Sequence, residues 1–168
     1  MKMDLTYDPG QDRIRFCVRN DEQRSDWWMT RRISLRLLQA FLNQLEKVPL
    51  PVLDKPWLPK TGQREIAEEH AMSLEFDALR ADPTAPKDSQ SGLLVEKVSL
   101  TVSPTDTRLE LTAGSSNVRF SLTRMESHAL IEAVALMARK GDWLVGVELP
   151  SWVGQTDPSV SGIGSAGT

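Results

Sequence analysis

One cysteine and two histidines in 168 residues leave little of the side-chain chemistry that usually declares a function. With Cys17 alone, an intramolecular disulfide framework is excluded, and the count fits a reducing compartment. His70 and His128 fall on different predicted helices, so no converging ligand set, and hence no bound metal, is expected. Charge of neither sign dominates: 20 Lys and Arg stand against 23 Asp and Glu, a net −3, which argues against a generic electrostatic grip on nucleic acid. Long apolar runs are lacking too. The longest, near Ala129–Met137, is short and broken by Glu132, and the opening MKMDLTYD carries Asp4 and no apolar segment. Neither a signal peptide nor a membrane span is expected, and a cytoplasmic location is. Missing as well are the phosphate-cradling G-x-x-x-x-G-K-[ST] and G-x-G-x-x-G loops and the G-x-S-x-G nucleophile elbow. No cofactor or small-molecule substrate is implied. Cys17 would act as a nucleophile only beside a base, and none is implied; no catalytic residue is assigned and a non-enzymatic protein is expected.

What the chain does contain is a resemblance between its two ends. Leu5-Thr6-Tyr7-Asp8-Pro9 lies over Leu100-Thr101-Val102-Ser103-Pro104 at an offset of 95, followed by Asp12–Phe16 over Thr107–Leu111. After a two-residue deletion the offset becomes 93. It then sets Trp27–Arg31 over Phe120–Arg124, Ser34 over Ser127 and Leu37-Leu38 over Leu130-Ile131. Agreement of hydrophobic period is the stronger warrant. Met3, Leu5 and Tyr7 alternate with polar residues, as do Val98, Leu100 and Val102, and each run reads as a strand with one face buried. Turns at Pro9–Asp12 and Pro104–Thr107 lead to second strands through Ile14, Phe16 and Val18 and through Leu109 and Leu111. Third strands bury Trp27 and Met29, and Val118, Phe120 and Leu122. At Thr30 and Thr123 the period changes from two to about 3.6, and Thr123-Arg-Met-Glu126 has capping-box spacing. Apolar stripes follow, Ile33, Leu37, Leu38, Phe41, Leu42 and Leu45 in one helix and Leu130, Ile131, Val134, Met137 and Ala138 in the other.

The expected fold is therefore α+β, an internally duplicated β-β-β-α unit forming antiparallel sheets with helices on one face and a pseudo-twofold relation between the copies. Residues 1–150 form one domain. The first copy spans 3–48, a Pro-rich connector with an insert helix 49–92, and the second copy with a final strand through Trp143, Val145, Val147 and Leu149 spans 93–149. The insert helix, Gln63 to Arg80, is expected to bury Ala67, Ala71, Leu74 and Ala78. Residues 151–168, Gly/Ser/Thr-rich from Gly154 on, predict a flexible tail.

Alternation that buries Ile14, Phe16 and Val18 turns Arg13, Arg15, Cys17 and Arg19 to the opposite face, where Arg24, Asp26 and Trp28 join them from the next strand. An outward Trp beside guanidinium groups suits bases and phosphates of single-stranded nucleic acid, and equally a protein hot spot. Alternatively, the arginines pair with acids and Trp28 is covered by the connector with Trp57 as its neighbour. Candidate binding residues are thus Arg13, Arg15, Arg19, Arg24, Trp28 and Trp57. His128, in the first turn of its helix, is expected to be solvated or capping.

A sheet-then-helix unit used twice, over 3–48 and 97–141, resembles the layout of whirly and PUR-type folds, a resemblance that implies single-stranded nucleic-acid binding. The runs Trp27–Arg32 and Leu74-Glu75-Phe76 are similar to uncharacterised bacterial proteins. The leading expectation is a bacterial or phage interaction or assembly module that works through a protein–protein surface or self-association. Single-stranded nucleic-acid binding through the Arg/Trp face is the alternative.

Overall fold

The computed structural model describes residues 2–20, 23–48, 62–75 and 92–154. Strands β1 (Lys2–Asp8), β2 (Arg13–Asn20) and β3 (Gln23–Thr30) precede helix α1 (Arg31–Lys47). Helix α2 (Gln63–Glu75) and the two-residue strand β4 (Leu93–Leu94) come next, then β5 (Lys97–Val102), β6 (Asp106–Ala113), β7 (Ser116–Thr123) and helix α3 (Arg124–Lys140). The fold is α+β. One sheet has the order β1-β2-β3-β4, antiparallel except where β4 runs parallel to β3, and the other is the antiparallel β5-β6-β7. The chain passes from one sheet to the other within two residues: Val95 N–H donates to the Trp28 carbonyl at 2.9 Å and Glu96 N–H to the Thr112 carbonyl at 2.9 Å.

Period-two alternation buries Ile14, Phe16 and Val18 of β2, Trp27 and Met29 of β3, Leu109 and Leu111 of β6, and Phe120 and Leu122 of β7. Phe16 and Phe120 meet edge to face with centroids 5.8 Å apart, so the inner faces of the two sheets share one core. All six residues of the expected α1 stripe are buried there. Each helix also reaches beyond the sheet that precedes it, α1 to β5 and α3 to β1. The helices begin as their sequences dictate. Thr30 Oγ1 accepts the Ile33 N–H, and Thr123 and Glu126 form a reciprocal capping box.

Three expectations need correction. Among the described residues no strand follows α3, because Asp142 and Gly146 take φ of 56° and 74°, left-handed values that break an extended run; Trp143 is buried but Val145 is 79% exposed. The expected tail is packed at its start, where Val153 and Gly154 are buried; residues 155–168 lie outside the described residues. In α2 the buried line is Ile66, His70 and Ser73, while Ala71 and Met72 are exposed, so two of its three fully packed residues are polar. The C-terminal part of the expected insert helix, from Phe76 to Arg80, lies outside the described residues.

Candidate functional site

The outward face of the first sheet carries its residues in cross-strand rows. Thr6, Arg15 and Trp28 share one row, Asp4, Cys17 and Asp26 the next, and Lys2, Arg19 and Arg24 a third. Asp26 organises two of the guanidiniums: Arg15 Nη2 is 2.5 Å from its Oδ2, while Arg24 Nε and Nη2 donate to its two oxygens at 3.1 Å each. Burial opposes ionisation of Asp26, but Arg24 and Arg15 outweigh it and hold the carboxyl below its ordinary value. Burial, followed by the neighbouring Asp26, pushes the Cys17 thiol up.

Trp28 points away from the core as alternation requires, yet it is only 5% exposed, which removes the outward stacking platform expected of it. The reason lies in β4, which pairs with β3 through Trp27–Leu93 and Trp28–Leu94. Gly92 passes directly over the indole: a Cβ there would sit 2.2 Å from Trp28 Nε1. The Arg15 guanidinium also lies over the ring, 5.8 Å from its centroid. Arg13 and Arg19 are partly buried on the same face, and Trp57 lies outside the described residues. Of the candidate binding residues, then, Arg15, Arg24 and Trp28 come together around Asp26 and β4.

A second cluster was not foreseen. His70 on α2 and His128 on α3 meet Nδ1 to Nδ1 at 3.0 Å, both buried, at 2% and 0% exposure. Beyond them stand two carboxylates. His70 Nε2 is 2.9 Å from Glu132 Oε2, and His128 Nε2 is 3.1 Å from Glu69 Oε2. Arg124 closes the Glu69 end by donating Nε and Nη2 to its two oxygens at 2.7 and 3.1 Å, with Nη1 reaching the Ser103 carbonyl at 3.3 Å. Gly154 N–H closes the other end on Glu132 Oε2 at 2.8 Å. Trp152 lies over both rings, 4.7 Å from His70 and 6.3 Å from His128, and its Nε1 donates to Gln63 Oε1 at the start of α2.

Burial pushes His128 below the ordinary histidine value even though Glu69 pulls the other way. Burial likewise penalises the Glu69 carboxylate, but His128 and Arg124 outweigh it and hold it at about 2. Among the described residues no group of His, Cys, Asp and Glu is placed to hold a metal, and the carboxylates face the outer nitrogens rather than the shared gap. Such a chain can store or pass a proton. The nearby hydroxyls are engaged elsewhere, Ser73 on the Glu69 carbonyl at 2.7 Å and Ser127 on Thr107 Oγ1 at 2.9 Å.

The expected solvated role of His128 is thus overturned, since the residue faces α2. Half of the signal was present in the chain. Arg124, His128 and Glu132 recur every fourth residue along α3, with Glu132 set inside its apolar run, and Glu69 and His70 are adjacent. Comparison of the chain with protein families, with curated proteins and with solved structures returns no match.

Proposed function

We propose that the protein is a non-enzymatic, cytoplasmic interaction or assembly module of bacterial or phage origin, built on a duplicated sheet-helix unit, that works through a protein–protein surface. The observation that supports this reading is apolar side chain left outside a well-filled core. Leu93 and Leu94 are each 43% exposed on β4, the edge of its sheet, and Met72 on α2 and Met125 at the start of α3 are exposed as well. Met72 follows Glu69 by three residues and Met125 adjoins Arg124, so both flank the ion pair that joins the two helices. Methionine adapts its shape to a partner, and an edge strand offers unpaired backbone groups.

Light scattering over a range of concentrations, with Leu93→Glu and Met72→Glu beside the natural chain, tests the reading. Self-association, or binding of a purified partner, that either substitution weakens about tenfold without a change in unfolding midpoint supports it; a strict monomer that binds no protein counts against it. The nucleic-acid reading loses its main support with Trp28 buried under Gly92 and is left with Arg13 and Arg19. Salt-sensitive binding to mixed single-stranded oligonucleotides would restore it.

A further inference from the structure

We propose that α2 and residues 150–154 form an acid-released latch, closed over the His70–His128 pair while His128 is neutral and opened when His128 takes up a proton.

The placement of protons follows from the partners. An ionised Glu132, whose Oε2 also accepts Gly154 N–H, can only accept, so the His70 nitrogen facing it, Nε2, then carries the hydrogen. His70 Nδ1 then accepts, and His128 Nδ1 must donate to it across the 3.0 Å gap. With both rings neutral no hydrogen remains for His128 Nε2. That atom is fully buried and makes no hydrogen bond among the described residues, although the Glu69 carboxylate stands 3.1 Å away. The three contacts along Glu132, His70, His128 and Glu69 need three hydrogens, and two neutral imidazoles supply two. The chain has one vacant proton position, at His128 Nε2.

Occupying that position in the closed state puts an imidazolium in a buried site. The groups that face it are Glu69 and His70 from α2, Arg124 and Glu132 from α3, and the Trp152 ring from the C-terminal segment. Glu69 favours the cation, but it is already engaged by Arg124, and burial and the positive Arg124 oppose it; the balance falls against charge, as the direction of the His128 shift agrees. Opening exposes the His128 ring to water, where burial no longer opposes its proton. Acid therefore favours the open form.

Of the two elements that would open, α2 has little apolar anchorage, while residues 150–154 add polar contacts with the pair to the single core side chain of Val153. In α2 only Ile66 among the fully buried residues is apolar, and His70 and Ser73 complete its packed line. Residues 150–154 reach α2 and α3 through Trp152 on the rings and on Gln63, Gly154 on Glu132, and Arg139 on the Gly154 carbonyl. Three of these four contacts involve the pair, its carboxylate or α2. Release would uncover the α3 face beside the surface proposed above for partner binding, but the latch itself stands without that reading.

Hydrogen exchange read by mass spectrometry on the full chain at pH 7.5 and 5.5, corrected for intrinsic rates, tests this. Peptides from 63–75 and 150–154 should lose protection by up to about tenfold per pH unit below 6.5, the limit for one proton, while β2 and β6 keep theirs. In His128→Gln, which cannot take the proton, the dependence should shrink to that of the strands. Equal protection of 63–75 at the two pH values overturns the proposal, as does a dependence that His128→Gln leaves intact. Should that variant not fold, histidine ring titration by NMR on the natural chain decides: a His128 midpoint at or above 6.5 overturns the proposal, and one below it supports it.

Discussion

Gln44 takes the place of a strand beside Val102. From the last turns of α1 its Oε1 accepts the Val102 N–H at 2.9 Å while its Nε2 donates to the Leu100 carbonyl at 2.9 Å, so one side-chain amide satisfies two backbone groups on the free edge of β5. This contact fixes how α1 meets the second sheet. Gln44→Ala leaves both backbone groups unpaired and should cost about 1–3 kcal/mol. Urea unfolding measures it, and Gln44→Glu, which keeps the acceptor and loses the donor, should fall between the natural chain and Gln44→Ala.

Gly92→Ala tests the cover over Trp28. The added methyl would meet the indole at 2.2 Å, so either β4 leaves β3 or the ring turns. The expected result is a loss of about 1–3 kcal/mol together with easier acrylamide quenching of tryptophan fluorescence. Unchanged quenching and stability would show that the segment does not seal the ring.

Cys17 is buried and its thiol is raised by burial and by Asp26. Native protein should therefore resist iodoacetamide at neutral pH, with alkylation rising steeply once urea unfolds the chain. Intact mass after timed exposure reports it.

Acid should destabilise the protein in two windows. Glu69 is held at about 2 against an ordinary 4.5, a lowered folded value, so its contribution is present above 4.5 and is lost as pH falls toward 2; a shift of that size corresponds to roughly 3 kcal/mol. His128 is also lowered, from 6.5. The unfolded chain takes up that proton first, so stability declines as pH falls below 6.5 until the folded value is passed. Urea midpoints between pH 8 and 3 should drop in both ranges, and Glu69→Gln should flatten the lower one.

The two helix starts are not equivalent. Thr123 has the reciprocal Glu126 bond, whereas Thr30 accepts a single N–H at 3.4 Å. Thr123→Ala should cost about 1–2 kcal/mol and Thr30→Ala less, as thermal or urea unfolding will register.

Strands, hairpin turns and the starts of α1 and α3 were legible because each is written locally. Alternation sets which side chains share a face, and Thr30 and Thr123 mark where the period changes. The run from Trp143 to Leu149 misled because its alternation is genuine, but left-handed backbone at Asp142 and Gly146 bends it into turns. The α2 stripe misled differently. Apolarity favoured a line through Ala71, which is exposed, while the line that meets α3 is set by polar pairing of His70 and Glu69.

The sequence by itself determined the α+β class, the hairpins, the helix caps and the core stripes, since these depend on period and on bonds within a few residues. Only the tertiary structure decided that Trp28 lies under Gly92 and that His70 meets His128 fifty-eight positions away. A side chain's outward direction is a local property. What covers it, and which charges share its cavity, depend on segments distant in the chain, and burial then sets both its exposure and its proton affinity.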